Sequence, residues 1–283
     1  MPGDHRGLFD PIPRLDLRYP RRVEAAYEYL NESARSEAAS ARSAYRTWLA
    51  RYTAEHQDDL VRRFRSSEDG SHAAAAFELA LHEILVQLGG EVAVPGHQQG
   101  RTRYDFDVAM DSEAAAVEAS LVTDDDDDDR QQRRRADALL DALDEVRHPR
   151  LAIHVWECRV DATRQPSYRR LREAVLAVLD SAHPDDVAQW AGLVAGRDFR
   201  RLPRWVYDRG GSRVVFSPVP IPPGVVFRGH VVRLDPVVAM EKVTIGDAIL
   251  GKIRSKAAKR YELDGRQLVL ALAVTHWAAA DDF

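Results

Sequence analysis

The 283-residue chain carries 40 basic against 45 acidic residues, a formal net charge of −5, and a single cysteine. The mildly negative balance excludes a protein that coats nucleic acid with its whole surface. The lone Cys158 excludes an internal disulfide and a thiolate-held zinc, as expected in a reducing cytoplasm.

No apolar run is long enough to span a bilayer and no N-terminal leader pattern is legible, so no membrane association is expected. Residues 1–20 hold Pro2, Pro11, Pro13 and Pro20 and read as an extended arm. From Pro20 to Ser66 apolar residues recur at three and four, the helical period: Val23, Tyr27 and Leu30, then Tyr45, Trp48, Leu49 and Tyr52, then Leu60, Val61 and Phe64. After a polar break at 66–71, HAAAAFELALHEILVQL predicts a helix stopped by Gly89 and Gly90. EVAVPG reads as a short strand and RTRYDFDVAMDSEAAAVEASLV, residues 101–122, as a β-hairpin. The acidic run Asp124 to Asp129 follows as a solvated loop. Next come a helix over RQQRRRADALLDALDEV, a buried strand over LAIHVWECRV and an amphipathic helix from Ser167 to Ser181. The remainder predicts a hairpin turning at Gly210 and Gly211, a strand around VVFRGHVVRL, a helix from Asp247 to Tyr261, and QLVLALAV as a strand buried on both faces.

The hairpin carries the chemistry. A turn centred on Asp111 and Ser112 pairs residues whose numbers sum to 223, so Asp105 faces Glu118, Asp107 faces Ala116 and Arg103 faces Ser120. Tyr104, Phe106, Val108, Ala115, Val117, Ala119 and Leu121 then fill the opposite, core face. Opposed positions have Cβ atoms roughly 5 Å apart, and like charges there are destabilising unless a cation lies between them. A hard divalent ion such as Mg²⁺ or Mn²⁺, which takes carboxylate oxygens and water, would answer that repulsion. The alternative is an acidic, solvent-facing side of an edge hairpin. Asp107 shares the face of Asp105, either as a further ligand or as a solvated acid.

Helix, three strands, helix, strand over 72–160, with an acid at Glu78, an Asp in YDF and a Glu in VEAS, resembles the PD-(D/E)XK, or restriction-endonuclease-like, nuclease superfamily. AFELALHEIL, YDFDV, VEAS and KIRSKAAKRYELD together look like an uncharacterised bacterial group carrying a variant of that core. The resemblance implies an α/β fold with an α-β-β-β-α-β core of mixed sheet and flanking helices. Residues 71–183 would form that core, 1–70 an N-terminal arm and helices, and 184–283 a C-terminal β/α extension. It implies Asp105 and Glu118 as metal ligands and Glu78, with Glu83 as its competitor, as the further acid on the first core helix. Tyr104 stands at the loose Pro position. Ser120 stands where the pattern has Lys, so the motif's cation must come from elsewhere.

The lysine distribution suggests where. Only Lys242, Lys252, Lys256 and Lys259 are lysines among the 40 basic residues, and three of these fall within eight residues. The spacing i, i+4, i+7 puts Lys252, Lys256 and Lys259 on one helix face, from which Lys256 is expected to reach the site. A solvated basic face is the plain alternative. Arg103 is the other substitute, a poorer one because guanidinium is neither compact nor tunable. Arg133 and Arg134, with Arg103, Lys252 and Lys259, are candidate contacts for a phosphate backbone. His82 is expected to be a packing histidine and Cys158 a buried thiol.

Three functions follow. The first is a Mg²⁺- or Mn²⁺-dependent nuclease acting on DNA rather than RNA, with homodimeric assembly left open. The second is a nuclease-like fold without catalysis, serving as a nucleic-acid-binding or protein-interaction module. A metal-dependent hydrolase of a nucleotide or another phosphate ester is the third.

Overall fold

The computed structural model describes residues 7–95, 104–111, 113–123, 127–161, 164, 166–224, 231, 245–259, 261–263 and 265–275. In chain order the elements are α1 (Ala26–Glu32), α2 (Ser36–Arg51), α3 (Gln57–Phe64), α4 (Asp69–Gln87), β1 (Glu91–Ala93), β2 (Phe106–Met110) and β3 (Glu113–Thr123). They continue as α5 (Asp127–Asp144), β4 (Leu151–Val160), α6 (Tyr168–Asp180), α7 (Pro184–Ala195), β5 (Trp205–Arg209), β6 (Ser212–Pro220), α8 (Ile245–Ala257) and β7 (Gln267–Thr275). The fold is α/β, and among the described residues no helix is long and apolar enough to cross a membrane.

Two compact units divide the chain. Unit 1 takes Met1–Pro20, Glu24–Asp124 and Glu241–Phe283; unit 2 takes Arg21–Val23 and Asp125–Met240. Unit 1 holds a four-stranded mixed sheet in the order β1-β2-β3-β7, antiparallel up to β3 and parallel between β3 and β7. Unit 2 holds an antiparallel sheet in the order β4-β6-β5, with α5, α6 and α7.

This arrangement corrects the expectation of a contiguous core over 71–183. Leu151–Val160, expected beside the hairpin, pairs with β6 in the other sheet, and the C-terminal segment expected to be an extension supplies the helix and strand that follow β3 in unit 1. A parallel neighbour for β3 needs a long crossover, and either apolar strand preceded by a helix could have provided one. QLVLALAV, expected to be buried on both faces, ends the sheet: Val269 and Val274 are each 45% exposed.

In unit 1, α4 packs on the sheet through Ala75 and Leu79 against Phe106, Val108 and Val117. Leu8, Phe9, Tyr27, Tyr52, Leu60 and Phe64 close that core. The arm is therefore anchored at Leu8 and Phe9, while Leu15 and Leu17 are exposed. The helical region read over 20–66 is three helices, with a tight turn at Ala54–His56. In unit 2, Leu139, Leu143, Leu151, Ile153, Leu171, Val175, Leu179, Val214 and Phe216 form a second core. The turn expected at Gly210 and Gly211 joins β5 to β6, both glycines lying at positive φ (61° and 77°) as a two-residue hairpin turn requires. Helix α5 begins at Asp127, so part of the acidic run is helical. Helix α7 was not expected, although Pro184 followed by Asp185 and Asp186 is a helix-start signal. Of the strand expected around VVFRGHVVRL, only Val231, which bridges Ile153, lies within the described residues.

Candidate metal centre

The hairpin adopts the expected register. Phe106 pairs with Val117, Asp107 with Ala116 and Val108 with Ala115, and Asp111 at the turn takes a positive φ of 53°. Both faces of β3 are buried: Val117 on one, and Ala116, Glu118, Ser120 and Val122 on the other. Glu118 is 5% exposed, so its face is not an acidic, solvated edge.

The regular ladder stops at Phe106–Val117. Just before it, the Asp105 N–H donates to the Val117 carbonyl (3.0 Å), and Asp105 Oδ2 accepts the Ala119 N–H (2.7 Å). The carboxylate is thus tied to the backbone one residue past Glu118. Burial, then the Glu118 charge, push the Asp105 pKa up to about 6, with a smaller contribution from Glu78; the Ala119 N–H and the Lys256 ammonium pull the other way. These acids and this lysine therefore share one electrostatic neighbourhood.

Lys256 makes an ion pair with Glu118 Oε1 across 138 residues of sequence. Its side chain is 15% exposed, and that of Glu118 6%. The structure thus brings together three of the residues singled out in the sequence, Asp105, Glu118 and Lys256. Lys252 is half-buried one turn earlier on α8. Lys259 is exposed beyond the helix end at Ala257.

Glu78 is near but committed. Its Oε1 accepts from the Tyr52 hydroxyl (2.6 Å) and its Oε2 from Arg63 Nη1 (2.7 Å), so neither oxygen is left without a donor. This arrangement departs from the expectation of a metal-ligating acid on the first helix. Tyr52 in turn packs on Phe106 and His82, which makes Glu78 a tie between α2, α3 and α4 beneath the hairpin. Removing it would strand the buried Tyr52 hydroxyl and leave the partly buried Arg63 guanidinium with Asp59 as its remaining acid. Glu78→Ala is therefore expected to lower stability by about 3 kcal/mol, read as a lower urea midpoint, while Mg²⁺ affinity stays within about threefold of wild type because each altered contact is indirect. A loss of Mg²⁺ binding in folded Glu78→Ala protein would return Glu78 to the ligand set.

The other candidates separate cleanly. Glu83 is buried with Arg51 and Gln87 as partners. His82 packs between Tyr52 and Phe106, and burial lowers its pKa. Asp107 pairs with Arg266 and accepts from the Tyr104 hydroxyl (2.8 Å), which itself accepts from Arg266 (2.6 Å). An open depression of about 350 Å³ lies at that triad, along β1 and β2, not over Asp105 and Glu118. Cys158 lies in unit 2, where burial pushes its thiol up to about 12 and leaves it unreactive. Arg134 is exposed on α5 of unit 2. Arg103 and the Arg133 side chain lie outside the described residues.

Sequence reasoning missed Tyr261. Its hydroxyl is shielded from solvent. Burial, then the Glu118 carboxylate, which also accepts its hydrogen bond, and the Asp105 charge drive its pKa upward. Its place five residues after Lys256 gave no signal, because only the return of the chain to β3 brings it to the acids.

Among the described residues no group of three or more His, Cys, Asp and Glu side chains is arranged to hold a metal ion. A cation here would rest on two carboxylates, with water completing its shell, which is ordinary for Mg²⁺. The donor set fits such an ion: hard oxygens, one carboxylate short of compensating charge, and the buried, unpartnered Ser120 hydroxyl on the Glu118 face. Compared with protein-family models, with curated proteins and with solved structures, the chain matches none.

Proposed function

We propose that the chain is a metal-dependent phosphodiesterase of nuclease type, acting on nucleic acid and on DNA in preference to RNA. The observation that carries this reading is the Asp105–Glu118 pair, with Glu118 buried and Asp105 half-buried in a hairpin, met by a lysine delivered from α8. The strand and helix order of unit 1, α4-β1-β2-β3 followed by α8-β7, supports a PD-(D/E)XK-like core interrupted by unit 2. In this reading Asp105 and Glu118 hold a Mg²⁺ or Mn²⁺ ion. When bound, the ion would supply charge neutralisation at the phosphate and a more acidic water. Lys256, already beside Glu118, offsets charge that develops on the phosphoryl oxygens. Lys256 thereby takes the role the motif gives to the position of Ser120, and Glu78 is left out of the ligand set.

A second reading has its own observation. The Lys256–Glu118 pair closes on itself, as a structural ion pair would in a nuclease-like fold that only binds nucleic acid or another protein. Calorimetric titration of Mg²⁺ and Mn²⁺ into wild type and into an Asp105→Ala/Glu118→Ala double variant separates the two, alongside incubation with single- and double-stranded DNA and RNA. The nuclease reading expects metal binding in wild type alone and metal-dependent cutting of a polymer. Absence of metal binding in wild type would leave the non-catalytic module.

A further inference from the structure

Two hydroxyls lie shielded from solvent beside the acidic pair. Ser120 is 5% exposed, and its Oγ, shielded from solvent, makes no hydrogen bond among the described residues; Tyr261 Oη, equally shielded, has the Glu118 carboxylate beside it as acceptor. Proteins satisfy the large majority of such atoms, with ordered water where no protein group can reach. Ser120 lies two residues beyond Glu118 on the same face of β3, the face α8 reaches through Lys256. Tyr261 lies against Glu118 and within the influence of Asp105. Both hydroxyls can donate or accept, which suits them to water and ill suits them to burial alone.

We propose that the Ser120 and Tyr261 hydroxyls hold water molecules of a hydrated divalent cation whose protein ligands are Asp105 and Glu118. The inference rests on the metal reading above. Mg²⁺ gives up its water reluctantly and commonly keeps several, bound through one or two carboxylates. Those waters need partners in a site as closed as this one. The proposal also accounts for serine where the motif has lysine. With Lys256 already paired to Glu118, a second ammonium at position 120 would crowd like charge, whereas a small hydroxyl leaves room for water.

The test is Mg²⁺ titration by calorimetry into full-length wild type, Ser120→Ala and Tyr261→Phe, with thermal unfolding of each protein in chelator. Each variant is expected to bind Mg²⁺ about 3- to 10-fold more weakly, the loss of one water-held hydrogen bond. In the metal-free state Ser120→Ala should melt at the wild-type temperature or a few degrees above it, because an orphaned buried hydroxyl has been removed, whereas Tyr261→Phe also gives up its contact with Glu118 and is read by Mg²⁺ affinity alone. A merely structural Ser120 hydroxyl gives the opposite pattern, a lower metal-free Tm in Ser120→Ala, and that result overturns the proposal. Wild-type Mg²⁺ affinity in both variants, with wild type itself binding, overturns this proposal and leaves the metal reading standing. No Mg²⁺ binding by wild type overturns both.

Discussion

Asp105→Asn is expected to make the metal-free protein more stable near pH 7.5, by about 2 kcal/mol, while abolishing its affinity for divalent metal. The cause is the pKa of about 6, raised from 3.8 by burial and by Glu118. A carboxyl that holds its proton more tightly when folded than when unfolded weakens the fold as pH rises. The penalty is absent below about 3.8, grows between 3.8 and 6, and is complete above 6. A shift of this size corresponds to roughly 1.4 kcal/mol for each pKa unit, which sets the scale. Asparagine removes the charge, and its side-chain carbonyl can still accept the Ala119 N–H. Urea denaturation of wild type and variant in chelator at pH 4 and pH 7.5 reads the effect directly. The stability gap should be wide at pH 7.5 and nearly closed at pH 4; a gap of the same size at both would show that Asp105 is not held in a proton-hungry site.

The second large effect is expected at Lys256. Lys256→Met keeps the apolar stem and removes the ammonium, leaving Glu118 buried beside the Asp105 carboxylate. Breaking one side of a buried pair costs about 3 kcal/mol, and the loss should be largely recovered in Lys256→Met/Glu118→Gln. A double-mutant cycle on urea midpoints gives the coupling, expected at 1 kcal/mol or more in order of magnitude. Coupling near zero would mean that the pair does not form in solution. On the nuclease reading, the same Lys256→Met substitution lowers metal-dependent cutting by about 10²- to 10³-fold, the scale of losing one charge-stabilising group. Unchanged cutting in folded Lys256→Met protein would take the lysine out of the chemistry while leaving it in the fold.

The local half of this site was legible in the letters. Alternation in YDFDV and VEAS, with a turn at Asp111, sufficed to predict the 223 register and to bring Asp105 close to Glu118, because strand period and turn geometry are short-range properties. The crowding of lysines into residues 252–259 pointed to α8, and Lys256 does meet Glu118. Asp105 itself escaped the regular ladder, since its carboxylate found the Ala119 N–H, a choice that depends on how the strand begins.

What the letters left undecided is the long-range pairing. Two apolar strands, LAIHVWECRV and QLVLALAV, each follow a helix and each could have completed the sheet; the first has an antiparallel partner in β6, and the second lies parallel to β3. That choice moved the C-terminal segment from extension to core and brought Tyr261 to the acids. Likewise Glu78 and Glu83 sit on one helix among apolar residues, and only the packing of α2 and α3 onto α4 gives Glu78 to Tyr52 and Arg63, and Glu83 to Arg51. Sequence by itself determined the charge balance, the hairpin with its register and the identity of the facing acids, since each follows from charge count or from neighbours a few residues apart. Tertiary structure alone decided which strand lies beside β3, which acids already have partners and which hydroxyls lie shielded next to Glu118, because these depend on contacts between segments from 15 to 138 residues apart.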